Sequence, residues 1–177
     1  NKIFISLIDS NPLSFDPMLV IEDDLEAFNK GMEVISYLPK EGIHAGITED
    51  NNLDLYKSEN IYYQTFSGPH PIGLVGTQIH KISPATLVNQ IWTIGYQELI
   101  KIGKTILTGC QSNEKYISLS GPQVFNPEIL LTDFGACVEE LTAGKLVEED
   151  NRLISGSVLC GHTCEGSLAY MSSFSNQ

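Results

Sequence analysis

The sequence predicts an α/β chain in two parts: a doubly wound α/β layer over residues 1–112 and a small α+β unit of β-grasp type over residues 113–177. Three observations lead there. Ile3, Phe4, Ile5, Leu7 and Ile8 form a nearly continuous apolar run, as strands do when a parallel sheet is covered on both faces. Leu25, Phe28, Met32 and Ile35 then recur at helical spacing. Past the small polar stretch Gly109 to Asn113, the pattern changes to alternating strands with a single short helix between them.

In order, Lys2 to Ile8 reads as the first strand, ended by the turn signal Asp9-Ser10-Asn11-Pro12. Glu22 to Leu38 reads as one helix, with Glu22, Asp23, Asp24 and Glu26 crowding a first turn where the helix dipole favours anions. Pro39 and Gly42 close it. Ile43 to Thr48 is a second strand, Glu49 to Ser58 a polar loop and Ile61 to Phe66 a third strand. Ile72 to Ile79 is helix-compatible, and Ser83-Pro84-Ala85 precedes a short strand over Gln90 to Ile94. Gln97 to Leu107 has helical period, with Leu99, Gly103 and Ile106 on one face; a glycine there predicts close approach to a sheet. In the second part, Lys115 to Ser120 and Glu128 to Asp133 read as paired strands, followed by a helix over Ala136 to Leu141. Arg152 to Ser155 and Leu168 to Phe174 complete it as strands.

Composition narrows the function classes. A hydrophobic fraction of 42% with 18% charged residues is that of an ordinary globular protein. No apolar run is long enough to span a bilayer. Ten basic residues against 22 acidic ones leave a net charge of −12, without any Lys/Arg cluster to neutralise phosphates. Nucleic acid and anionic membrane surfaces are therefore poor partners for this chain. No initiator Met opens it, and Asn1-Lys2 leads straight into a strand, so the chain reads as a fragment of something longer. The four cysteines do not make a disulfide scaffold. Cys160, His162 and Cys164 supply three soft metal ligands without an evident fourth, and their spacing misses the redox C-x-x-C motif by one residue. A zinc-binding interaction module built on them is one alternative, and incidental thiols in a loop the other; no metal site is assigned.

The chemistry-rich stretch is Thr65 to His80, a strand entering a glycine-bearing turn and then a helix, where α/β proteins place ligands. Gly68, Gly73 and Gly76 are spaced G-x4-G-x2-G, which is neither the dinucleotide fingerprint nor a P-loop. The loop candidates are Ser67, Gly68, Pro69, His70, Gly73 and His80. Pro69 and Pro71 stiffen the loop around His70, whose ring either bonds local backbone or meets a carbonyl or quinone-like oxygen. His80 closes the helical run, where it can satisfy the last carbonyls. Ser67 and His70 do not form a nucleophile elbow, and no catalytic residue is assigned.

Longer matches carry a resemblance. Phe66-Ser-Gly-Pro-His-Pro-Ile-Gly-Leu-Val-Gly-Thr-Gln-Ile-His80, Trp92-Thr-Ile-Gly-Tyr-Gln-Glu-Leu-Ile-Lys-Ile-Gly-Lys104, Leu119-Ser-Gly-Pro-Gln123, Gly135-Ala136 with Leu141-Thr142, and Arg152-Leu-Ile-Ser-Gly-Ser-Val-Leu159 follow one another here in the order of a known family, and the sequence resembles the A component of the Na+-translocating NADH:quinone reductases (Na+-NQR). Asp9-Ser-Asn-Pro-Leu13 is similar too, and the resemblance covers nearly the whole chain. It implies a middle fragment: part of a Rossmann-like domain, then a β-grasp, ubiquitin-like domain. It also implies a peripheral subunit on the cytoplasmic face of a bacterial inner-membrane complex that couples NADH oxidation and ubiquinone reduction to Na+ export. The family resembles the FMN-binding subunit of respiratory complex I, yet the resemblance implies no redox cofactor in this chain, with flavins and an iron–sulfur centre in other subunits. Other subunits of the complex are the implied partners, with ubiquinone a further one near the 66–80 loop, and the implied role is structural and docking. The sequence departs from the family at Gln78, where a histidine is common. A free-standing flavin- or nucleotide-binding oxidoreductase domain is the alternative, which the missing phosphate motif opposes.

Overall fold

The computed structural model describes residues 1–147, 150–166 and 169–177. It is a mixed α/β chain with a four-stranded parallel sheet and small antiparallel sheets. The chain divides into two compact units: residues 1–10 with 16–112, and residues 11–15 with 113–177.

In the first unit, β1 (Lys2–Ser6), β2 (Ile43–Ile47), β3 (Ile61–Thr65) and β4 (Ile91–Thr93) lie in the order β3-β2-β1-β4, all parallel. The apolar run that predicted β1 is buried because β1 sits inside the sheet, with Phe4, Ile5 and Leu7 almost wholly enclosed. Register sets Phe4, His44 and Tyr62 side by side across three strands. Their rings stack, Phe4 on His44 at 4.7 Å and 15° and His44 against Tyr62 at 5.2 Å and 30°.

The single helix expected over Glu22 to Leu38 is two helices, α1 (Pro17–Asp23) and α2 (Leu25–Ser36). Pro17 begins α1 at its first turn, and the Asp16 carboxylate accepts from the Met18 N–H at 3.0 Å. Asp24, at φ −116° and ψ 31°, leaves helical geometry and separates the two helices. Glu22 and Asp23 therefore end α1, and only Glu26 lies in the first turn of α2. The Asp24 carboxylate instead pairs with Lys104 at 2.9 Å.

The helix after the 66–74 loop, α3, runs Val75–Ile82, starting three residues later than expected; Ile72 to Leu74 remain in turn. α4 (Tyr96–Thr108) packs against α2. Gly103 makes a close approach as predicted, but to a helix: a Cβ there would collide with the Ala27 carbonyl of α2. Gly31 in α2 reciprocates against the Leu99 carbonyl of α4. Ile106, placed on the buried face by period, is exposed, and the buried side of α4 is Tyr96, Gln97, Leu99, Ile100 and Gly103.

In the second unit, β5 (Glu114–Leu119) and β6 (Glu128–Asp133) pair antiparallel over six residues, followed by α5 (Val138–Thr142). The strand expected over Arg152 to Ser155 shrinks to β7 (Ile154–Ser155), paired with β8 (His162–Thr163). Of the strand expected over Leu168 to Phe174, Leu168 lies outside the described residues. Tyr170 makes one isolated bridge to Cys137, and Met171 enters the core with Ile117 and Val138. Lys115 is buried, and its ammonium donates to the Ser172 and Ser173 carbonyls, so the C-terminal segment compensates a buried charge.

Candidate functional site

The carboxyl end of β1 and the 66–74 loop come together in the first unit. β3 ends at Thr65, and Phe66 N–H still donates to Ile47 O at 2.9 Å. Gly68 follows at φ +132°, a backbone region that side chains oppose. The Ile72 N–H donates back to Pro69 O and the Leu74 N–H to Pro71 O, closing two turns in succession around a cis His70–Pro71 bond.

Ser10, just beyond β1, ties this loop down. Its Oγ accepts from the Gly73 N–H at 2.9 Å, and the His70 Nδ1 lies 3.1 Å from both Ser10 Oγ and the Ser10 carbonyl. A carbonyl only accepts, so the proton of neutral His70 belongs on Nδ1. Nε2 then keeps its lone pair, without a hydrogen-bond partner among the described residues. In this form the ring accepts a hydrogen bond through Nε2; it donates there only when protonated. Gly73 is required by closeness, since a Cβ would come within 2.5 Å of the Ser10 nitrogen and 2.9 Å of the Ile8 carbonyl.

Behind the loop, Gln78 is 1% exposed and braces the wall. Its Nε2 donates to Ser6 Oγ at 2.9 Å and to Ile72 O at 3.1 Å, while Ser6 Oγ donates to Gly73 O at 2.8 Å. The side chain lies over Gly46, where a Cβ would strike it. Gln78 is thus part of the packing. His80 is exposed in the last turn of α3. Ser67, Gly68 and Pro69 are exposed, His70 is half-buried and Gly73 buried. The structure groups His70 with Gly73 and leaves His80 on the helix.

The sheet order changes direction between β1 and β4, where an α/β sheet places a ligand. Acidic side chains stand near the start of α4 here. Burial pushes the Tyr96 phenol well above its usual range, and the carboxylates of Asp9, Glu98 and Asp16 push it further in the same direction. The Glu98 side chain turns back over the start of α4, where a Cβ on Gly95 would collide with its Oε2. A carboxylate thus lies against the helix end that would otherwise attract a phosphate. Gly95 followed three residues later by Glu98 is a spacing that signals such a fold-back in sequence.

The Cys160–Cys164 segment runs through β8. Cys160 is exposed, while Cys164 packs partly buried against the second unit's core, where burial raises its thiol pKa. Among the described residues no cluster of three or more His, Cys, Asp or Glu side chains could hold a metal ion. No helix among them is long and apolar enough to cross a membrane.

Residues 1–111 match the model of the NqrA second alpha/beta domain, and residues 116–166 match that of the NQRA C-terminal domain. Among curated relatives, the NqrA component of the Na(+)-translocating NADH-quinone reductase of Yersinia pestis bv. Antiqua (strain Angola) is 42% identical over 175 residues, covering 99% of this chain and 39% of that protein. Its counterpart in Neisseria meningitidis serogroup A is also 42% identical, with the same coverage. That of Alcanivorax borkumensis is 40% identical over 177 residues, all of this chain and 40% of its own length. The chain spans about two fifths of the curated relatives it matches. A solved structure of an NAD+-reducing NiFe hydrogenase in its H2-reduced state shares the fold, with a TM-score of 0.67 at 10% identity, covering 99% of this chain and 38% of that one. The chain belongs to the NqrA family, carrying the match to its second alpha/beta domain followed by the match to its C-terminal domain.

Proposed function

We propose that this chain works as part of the peripheral NqrA component of a Na+-translocating NADH:quinone reductase, on the cytoplasmic face of a bacterial inner membrane. There it positions the 66–74 loop against other subunits or ubiquinone, while flavins and an iron–sulfur centre elsewhere in the complex move electrons and couple them to Na+ export. The observation that carries this reading is the pair of family matches in chain order, with relatives of that name aligned over 97–100% of the chain.

In this reading residues 1–112 are part of a Rossmann-like domain and residues 113–177 a β-grasp, ubiquitin-like domain. The sheet order β3-β2-β1-β4 supports the first, and the β5–β6 pair followed by α5 the second. The chain's own work is positioning. Ser10 holds His70 Nδ1, Gly73 and Gln78 fix the loop's base, and His70 Nε2 offers an acceptor to a neighbouring hydroxyl or N–H. The carboxylate over the start of α4 supports a role without a bound nucleotide in this part of the protein.

The test is photo-crosslinking with a quinone analogue in the intact complex, mapped by peptide, beside the activity of His70→Ala. Labelling within residues 66–80 and a lower quinone-reduction rate in a fully assembled complex are expected. Labelling elsewhere with unchanged activity removes quinone from this loop and leaves contact with other subunits as its role. Failure of the chain to copurify with the other subunits overturns the reading altogether.

A further inference from the structure

At the amino end of the sheet, β4 is an edge: among the described residues it pairs only with β1. Ile94 N–H donates to Phe4 O, so by alternation the N–H and C=O of Thr93 and Ile91 point away from β1. Natural edges are guarded by charges, proline or a bulge. Ile91, Trp92 and Thr93 carry no charge and no proline.

Beside this edge lies a cleft of about 340 Å³ lined by Ile3, Ile35, Leu38, Pro39, Trp92 and Ile94, apart from Asn1 and Thr93 an apolar set. Trp92 is 65% exposed there, and on the loop leading into β4 Leu87 and Val88 are 99% and 95% exposed. Scattered apolar residues on a surface need no explanation, but an unguarded strand edge with an apolar cleft alongside it is the geometry of strand addition.

We propose that an extended segment from the part of the longer chain outside these 177 residues adds to β4, bonding Ile91 and Thr93 through its backbone and seating an apolar side chain against Trp92 and Leu38. The length of the relatives points to an occupant within the same chain, since three fifths of each lies outside the matched region. The segment is uncharged at alternate positions, because no charged side chain lines the cleft it faces.

Amide exchange at Thr93 tests this, measured in the 177-residue chain and in a chain of the relatives' full length that contains it. Exchange at least about tenfold slower in the longer chain is expected, because the outward N–H becomes bonded there. Thr93→Pro gives a second readout: it removes an N–H that the β1–β4 ladder does not use, so it should lower Tm and expose the longer chain to protease while leaving the 177-residue chain unchanged. Equal exchange in both chains overturns the proposal. So does protection in the 177-residue chain that grows with concentration, which would make a second copy the occupant.

Discussion

The two ends of the first unit's sheet are built in opposite ways. At the carboxyl end, polar side chains from β1, the 66–74 loop and α3 are bonded to one another, with Ser6, Ser10, Gly73 and Gln78 in one hydrogen-bonded network. At the amino end, Leu38, Trp92, Leu87 and Val88 are exposed beside a strand edge that pairs on one side only among the described residues. A loop that is fixed from within can present one ring in one orientation without help. An uncovered apolar edge is instead a template for pairing with another strand. The loop candidates His70 and Gly73 lie at the first kind of end, because glycine, proline and histidine mark a loop visibly, whereas an uncovered strand reads like any other strand.

The contrast can be broken most forcefully at Gly73. Gly73→Ala pushes a methyl into the Ser10 backbone, which has no side-chain freedom to yield, and should cost about 2–3 kcal/mol in chemical denaturation. A cost below about 0.5 kcal/mol would mean that the carboxyl end is not tightly packed. Ser10→Ala comes next. It removes the acceptor of the Gly73 N–H and one partner of His70, for an expected loss of about 1–2 kcal/mol, with Ser10→Thr recovering part of it.

Between the two ends lies His44, and it gives a pH-dependent control. Burial, its largest influence, holds the His44 pKa below 6.5. The folded state thus resists a proton that the unfolded chain accepts, so stability is flat above about pH 7 and falls as pH drops through the unfolded value near 6.5. Melting curves of the protein and of His44→Phe should diverge in that window, with the variant losing less on acidification; parallel curves would show that His44 is not buried in the stack.

The smallest effect belongs to the amino end. Trp92→Ser in the 177-residue chain should change stability by no more than about 0.5 kcal/mol, since the ring is mostly in water. A loss of about 2 kcal/mol or more would show that Trp92 is already packed, and the difference between the two ends would disappear.

Much of the fold was readable because it depends on local pattern. β1, β2 and β3 follow from apolar or β-rich runs, and the Leu25-Phe28-Met32-Ile35 stripe marks the buried side of α2 down to Ile35. What was not readable is nonlocal. The break at Asp24 has neither proline nor glycine to signal it, and its carboxylate is held by Lys104, 80 positions away in the chain. Residues 11–15 join the second unit through Leu13 O, which accepts from Ser118 and Ser120 more than a hundred residues later. Gly31 and Gly103 look like two separate helix weaknesses until the helices meet and each fits the other's backbone. At the site, the His70 ring was identifiable from its flanking prolines, but Ser10, which decides where its proton sits, lies 60 positions earlier in a turn with no catalytic signature.

That proton gives the most direct test. Long-range 1H–15N NMR of the histidine side chains reads the tautomer of His70 in its neutral form. The structure predicts a proton on Nδ1 and a bare Nε2, with Ser10→Ala weakening that preference without reversing it, because the Ser10 carbonyl remains. A proton on Nε2, or a ring that averages between tautomers in the unaltered chain, would contradict the account of a loop held in place by Ser10.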